Sequence, residues 1–337
     1  MKFPFYVGGR TRQEDKLPAK LPISQRSQLL NPENYIPDPG LRDACNVALL
    51  LGQPLLLTGE PGTGKTQFAY SLAWELGFGT PLKFETKSTS TARDLFYTYD
   101  TLKRFQDIQN HSASDNLLDY INYQALGLAI LRTREPSEVN QYLPPELLHK
   151  EKVRSVVLID EIDKAPRDFC NDVLNELEHI YFRVLELGNE KIEADPELQP
   201  IVIITSNSEK DLPDAFLRRC IYYNLPFPDV KSLQDIITNH LGTYVGNSSP
   251  FLPAALDLFY RLRAPQSGLR KKPATAELLS WLITLQKFTG DTNNPLTQLD
   301  KILCTLSTLI KTAEDQQKAT KIVEQWIQEQ TKASRIG

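Results

Sequence analysis

The residues with the clearest chemistry are Gly59, Glu60, Pro61, Gly62, Thr63, Gly64, Lys65 and Thr66, followed by Gln67. Their spacing is G-x-x-x-x-G-K-T. Glycines carry no Cβ, so successive backbone N–H groups can turn around one anion. A lysine after the last glycine reaches the outer phosphates of a nucleoside triphosphate, and the Thr66 hydroxyl can ligate Mg2+. Such a loop needs a strand before it and a helix after it, because the helix adds its free N–H groups and dipole. Residues 54–58 are an apolar run, and residues 67–76 place Phe68, Ala69, Leu72, Ala73 and Leu76 on one helical side before Gly77.

A second group of candidates lies downstream. The run Val156-Val157-Leu158-Ile159 suits a central parallel strand, and it ends in Asp160-Glu161. Asp160 would hold Mg2+, directly or through water, and Glu161 would polarise an attacking water as general base. Acidic pairs after strands are common on surfaces; pairing with the phosphate loop gives this one its meaning. Asn207 follows the apolar run 201–206. It can orient the water against the γ-phosphate or serve as an ordinary turn residue. Arg218 and Arg219 close a short helix predicted over 214–220. Guanidinium groups suit bidentate phosphate contact, and from a neighbouring subunit they would stabilise charge developing in transfer. A solvated helix end accounts for them equally well.

These residues must be positioned by an α/β unit. Helices are expected over 41–51, 67–76 and 168–180, and strands over 82–86, 153–159, 201–206 and 221–225. Residues 182–193 alternate around Gly188-Asn189 and read as a hairpin. Residues 100–150 are harder: a part-helical stretch over 116–131 sits among prolines, and no chemistry is assigned there. After Pro226-Phe227-Pro228 only helical patterns remain, over 232–240, 253–262, 275–288, 296–310 and 315–328. Residues 1–34 are proline-rich and read as an extended arm or a partly disordered tail. The expected domains are therefore 1–34, 35–228 (α/β) and 229–337 (helical).

Composition narrows the class. The chain has 337 residues, 41% hydrophobic and 24% charged, with a formal net charge of −4. No global basic field favours nucleic acid or an anionic membrane. Cys45, Cys170, Cys220 and Cys304 are far apart, so neither a disulfide framework nor a zinc site is expected, and a reducing cytoplasm is. Residues 1–9 lack the apolar core of a signal peptide, and the run 47–51 is too short to span a bilayer.

The ordered set of phosphate loop, carboxylate strand, Asn207, arginine pair and helical end resembles an AAA+ ATPase. The stretches Leu50-Leu51-Gly52-Gln53-Pro54-Leu55-Leu56-Leu57-Thr58-Gly59-Glu60-Pro61-Gly62 and Asp160-Glu161-Ile162-Asp163-Lys164-Ala165-Pro166, with the hairpin before the Asn207 strand, resemble the MoxR group. That resemblance covers residues 35–290. It implies a P-loop α/β core with a five-stranded parallel sheet in the order 5-1-4-3-2, a C-terminal helical lid and a hexameric ring. It also implies ATP and Mg2+ as ligands, and hydrolysis coupled to remodelling of a client protein. A partner with a von Willebrand factor A domain is often present in such systems. By position the family's arginine finger falls on Arg219, with Arg218 next to it. Ile36 is placed to pack on the adenine, or simply in the core. One departure concerns the lid's sensing arginine: Pro273-Ala274-Thr275-Ala276-Glu277 has Ala276 where it is expected. Arg270, Lys271 or Lys272 could substitute, or form a solvated basic turn. Two other readings are a DNA-dependent ATPase, which would need a basic loop or module not evident here, and a nucleotide-switched scaffold of a defence or signalling complex with little turnover.

Overall fold

The computed structural model describes residues 30–112, 114, 116–208, 212–242, 251–289 and 295–336. Of the arm expected over residues 1–34, residues 1–29 lie outside them, and Pro32–Asn34 is a 3-10 turn. The chain divides into two compact units: residues 35–227, and residues 228–337 together with 1–34.

The first unit is built on a parallel sheet. Among its described residues nine strands run β1 (Leu55–Thr58), β2 (Leu82–Glu85), β3 (Tyr97–Tyr99), β4 (Ile121–Tyr123), β5 (Val156–Asp160), β6 (Tyr181–Val184), β7 (Glu190–Glu193), β8 (Ile201–Thr205) and β9 (Ile221–Asn224). The sheet order is β2-β5-β8-β1-β9. These numbers differ from the expected 5-1-4-3-2 because four strands outside the sheet intervene in the chain. Counted alone, the five sheet strands read 5-1-4-3-2 from the β9 edge. The central strands are continuous apolar runs because helices cover both faces. Their two-residue period divides the core. Leu55, Leu57, Val156, Leu158 and Ile203 pack with α1 (Pro39–Leu51) and α2 (Lys65–Glu75). Leu56, Val157, Ile159, Val202 and Ile204 face the other side. The edge strands β2 and β9 alternate between inward positions, of which Phe84 is buried and the rest partly buried, and exposed ones.

Helix α1 begins two residues earlier than its apolar pattern. Pro39 occupies its first turn, and Asp38 caps it by accepting from the N–H groups of Gly40 (2.9 Å) and Leu41 (3.2 Å).

One expectation is corrected, and one that holds gains detail. The helix expected over 168–180 is two short ones, α5 (Arg167–Asp172) and α6 (Leu174–His179), α3 and α4 being given below. They break at Val173, which has φ −93° and ψ −5° and a fully buried side chain. Val173 stays on the inner side with Phe169 and Leu177, so the expected apolar period continues across the break. The part-helical stretch over 116–131 is a 3-10 turn (Leu117–Tyr120), the strand β4 and the helix α4 (Ala125–Arg132). Strand β4 pairs antiparallel with β3. Between them, α3 (Thr101–Gln109) turns its charged side inward. Arg104 donates to the Tyr99 hydroxyl (2.7 Å), and Asp107 accepts from Tyr120 (3.2 Å). Leu102, Phe105 and Ile108 are left exposed.

Among its described residues the second unit is helical: α7 (Asp214–Leu217) closes the first unit, and α8 (Val230–Leu241), α9 (Phe251–Arg263), α10 (Thr275–Thr289), α11 (Leu299–Thr305) and α12 (Ala313–Ile336) follow. Buried Trp281 and Trp326 anchor it, each with its indole N–H satisfied, by Thr305 (3.0 Å) and Asp257 (2.6 Å).

Two groups make this unit acid-sensitive. Asp315 accepts from the backbone N–H groups of Arg270 (2.9 Å) and Lys271 (3.0 Å), and those bonds hold its carboxyl below its ordinary value. Burial pushes His240 below its ordinary 6.5, and its Nδ1 is buried without a hydrogen-bond partner among the described residues. Both folded values are depressed, so the unfolded state binds more protons as pH falls. Stability is complete above the ordinary histidine value and is lost below it, first through His240 and then through Asp315. Thermal midpoints measured from pH 7.5 down to pH 4 should fall monotonically, and His240→Gln should flatten the upper part of that fall.

Candidate nucleotide-binding site

The strand order explains why residues far apart in sequence meet. Strand β1 lies between β8 and β9, and β8 lies beside β5. All five strands are parallel, so the C-terminal ends of β1, β5 and β8 open on one edge. That edge is where ligands bind in open α/β sheets. The loop 59–66 leaves β1, Asp160 ends β5, and Asn207 follows β8.

Backbone geometry shapes the loop. Gly59 (φ 134°), Gly62 (φ 78°) and Gly64 (φ 97°) occupy the positive-φ region. At Gly59 the restriction is also steric, since a Cβ there would lie 2.5 Å from the Leu225 carbonyl oxygen. Thr63 closes the loop by donating to the Glu60 carbonyl (3.0 Å). Glu60 and Pro61 are exposed at the loop's tip, and Gln67 is half-buried in α2. The N–H groups of Gly62, Thr63 and Gly64 have no protein acceptor among the described residues. Gly64 caps α2 without a side-chain bond, so the first N–H groups of that helix are also open.

Lys65 is buried, and its ammonium donates to the carbonyls of Gly59 (2.8 Å) and Glu60 (3.0 Å) and to Asn207 Oδ1 (3.2 Å). Burial lowers its pKa, opposed by the charges of Asp163, Asp160 and Glu161. Thr66 donates to Asp160 Oδ1 (2.8 Å), and so does Thr205 (2.7 Å). Lys83 Nζ lies 3.0 Å from Asp160 Oδ2. Burial alone would raise the Asp160 pKa, but the bonds from Thr205, Lys83 and Thr66 outweigh it and hold the carboxyl below its ordinary range.

Glu161 takes a left-handed conformation (φ 58°, ψ 53°), which breaks the strand and separates its direction from that of Asp160. For a residue other than glycine this costs on the order of 1–3 kcal/mol, and such strain gathers at functional sites. Its backbone N–H donates to Thr205 Oγ1 (2.9 Å), and its half-exposed carboxylate pairs with Lys164. Asn207 is fixed through its own N–H, which donates to Asp163 Oδ1 (3.0 Å).

The residues fit a triphosphate with Mg2+. The open N–H groups, the Lys65 ammonium and the start of α2 form an anion cradle. Beside it, the Thr66 hydroxyl and the Asp160 carboxylate present the two protein oxygens that a phosphate-bound Mg2+ commonly takes.

Structure adds partners that residue spacing did not single out. Thr205 bridges Asp160 and Glu161, Asp163 pins Asn207, and Lys83 neutralises Asp160. Tyr35, next to Ile36, meets the Phe68 ring in a tilted arrangement with centroids 6.0 Å apart, and a Cβ on Gly64 would come within 3.1 Å of the tyrosine ring. Ile36 itself is half-buried. Arg219 is not joined to these residues by a hydrogen bond or ion pair; it pairs with Glu178 of α6 (2.8 Å) and donates to Ala215 O (3.1 Å). Arg218 is exposed.

Thr205→Val keeps the shape of the side chain and removes both bonds of its hydroxyl. It leaves the buried Asp160 oxygen and the Glu161 N–H each short of a partner, so a stability loss of about 1–3 kcal/mol is expected in denaturant melts.

Residues 54–220 match the family described as AAA domain (dynein-related subfamily). No curated protein matches. Among solved structures, two variants of RuvB from Thermotoga maritima align with this chain. One has 17% identity and a TM-score of 0.41, the other 18% and 0.42, and both alignments cover 80% of this chain. The chain spans just under two thirds, 66%, of each RuvB chain. The matched segment 54–220 holds the phosphate loop, Asp160, Glu161, Asn207 and Arg219, so the residues of the candidate site fall within the part of the chain that is similar to an AAA domain.

Proposed function

We propose that the protein hydrolyses ATP and uses the cycle to remodel a client protein, in the manner of the MoxR group, as a hexameric ring in the cytoplasm. The observation carrying the hydrolytic part is that three strand ends converge. Lys65 bonds to Asn207, Thr66 bonds to Asp160, and Thr205 ties Asp160 to Glu161. In this reading the loop N–H groups and Lys65 hold the phosphates, with Thr66 and Asp160 as ligands for Mg2+. The ion would neutralise charge on the phosphates. Glu161 accepts a proton from the attacking water, and Asn207 orients that water.

The arginine pair is assigned to the neighbouring subunit's site. The exposure of Arg219, and its pairing with Glu178 away from its own loop, support that assignment. The β6–β7 hairpin directly before β8 supports the MoxR reading, and a partner with a von Willebrand factor A domain belongs to the same proposal.

The test is phosphate release by the purified chain, with and without single- and double-stranded DNA, alongside its mass with and without ATP. DNA-independent turnover and an ATP-stabilised ring are expected. Arg219→Ala should bind nucleotide but not turn it over, and mixing it with Lys65→Ala subunits should restore activity. Stimulation only by DNA would replace the remodelling reading with that of a DNA-dependent ATPase, and negligible turnover would favour a nucleotide-switched scaffold.

A further inference from the structure

The oxygens of Asp160 are not equally engaged. Oδ1 already accepts from two hydroxyls, Thr66 (2.8 Å) and Thr205 (2.7 Å). Oδ2 is held by a cation, the Lys83 ammonium at 3.0 Å. Lys83 comes from β2, where its neighbour across the pair is Leu158, and Glu85 sits opposite Asp160. Residues 83 and 85 share a face of the strand. The same ammonium lies 2.7 Å from Glu85 Oε1. Glu85 is 70% exposed in its side chain and Asp160 only 10%. Lys83 thus has one partner inside the site and one in solvent.

We infer that Lys83 is a built-in counter-ion of Asp160 which competes with the divalent cation, so that it sets how much Mg2+ the site requires to take up nucleotide. This rests on the nucleotide reading above. Before Mg2+ arrives, Lys83 neutralises a carboxylate that would otherwise be poorly solvated. A divalent ion beside Asp160 meets a positive charge already on Oδ2. Either the ammonium shifts its bonding to Glu85, or it stays and repels the ion. Both lower the affinity for Mg2+, and Glu85 reduces the penalty by receiving the displaced lysine.

Equilibrium binding of a fluorescent ATP analogue to the full chain, titrated with Mg2+, tests this without reference to turnover. Lys83→Met keeps the apolar stem and removes the charge. It should lower the midpoint Mg2+ concentration by about threefold to tenfold. Lys83→Arg should stay within about twofold of the parent. Glu85→Gln, which removes the alternative partner, should move the midpoint upward. It also keeps the inference testable if Lys83→Met does not fold. An unchanged or raised midpoint in Lys83→Met, or an unchanged one in Glu85→Gln, overturns the role of Lys83. Absence of Mg2+-dependent binding in the parent protein would instead overturn the nucleotide reading.

Discussion

Lys65→Ala is expected to abolish measurable nucleotide binding. Two separate losses combine in that result. The first is the charge-assisted contact to phosphate, worth about 1.5–3 kcal/mol, or roughly tenfold to a hundredfold in affinity. The second is the organisation of the loop. The ammonium joins the Gly59 and Glu60 carbonyls to Asn207, so it ties the exit of β1 to the exit of β8. Its removal leaves those acceptors short of a buried donor and takes away one positive charge near Asp163, Asp160 and Glu161, of which Asp160 keeps Lys83 and Glu161 keeps Lys164. Two measurements separate the effects. Isothermal titration with ATP and Mg2+ reads the affinity, and a thermal melt without nucleotide reads the loop. Lys65→Arg should keep much of the melt yet bind poorly, because a planar guanidinium does not reproduce a point charge in a closed cradle. Full-affinity binding by Lys65→Ala would remove the phosphate role from the loop.

Much of this site was legible because its signals are local. The loop spacing, the Asp-Glu after an apolar run and the Asn after another are each set by a few consecutive residues. The central strands were legible for the same reason, since burial on both faces demands unbroken apolar runs such as 156–159. What could not be read depends on neighbours across the sheet. Lys83 occupies an alternating edge strand, where a lysine looks like a solvated position; only the pairing of β2 with β5 brings it to Asp160. Thr205 reads as one more residue of the strand expected over 201–206, yet its hydroxyl joins two carboxylate-bearing positions from 44 and 45 residues away. Glu178 and Arg219, 41 residues apart, are joined only by the packing of α6. The small β3–β4 pair escaped because three-residue strands carry too little periodicity to be told from a loop. Helix α3 compounds this by inverting the usual arrangement, with Leu102, Phe105 and Ile108 outward.

Glu161→Gln should keep nucleotide affinity and lose turnover by about 10²–10⁴-fold, the usual contribution of a positioned general base. The geometry makes this substitution unusually clean. The backbone of Glu161 is fixed by its N–H bond to Thr205 and by its left-handed conformation, neither of which involves the carboxylate. Glutamine preserves size and polarity, so Asp160, Thr66 and Lys65 keep their positions while the group that accepts the proton is gone. The one contact altered is the exposed pair with Lys164, and exposed pairs contribute about 0–1 kcal/mol. Thermal midpoints of parent and variant should therefore agree closely. That agreement matters, because it assigns a loss of phosphate release to chemistry rather than to folding. Lys164→Ala supplies the converse: it frees the Glu161 carboxylate from its partner and should leave turnover at least as fast as the parent's. Single-turnover phosphate release, with binding measured on the same preparations, decides the matter. Turnover by Glu161→Gln at the parent rate would move the base elsewhere, with Asp163 beside Asn207 as the next carboxylate to substitute.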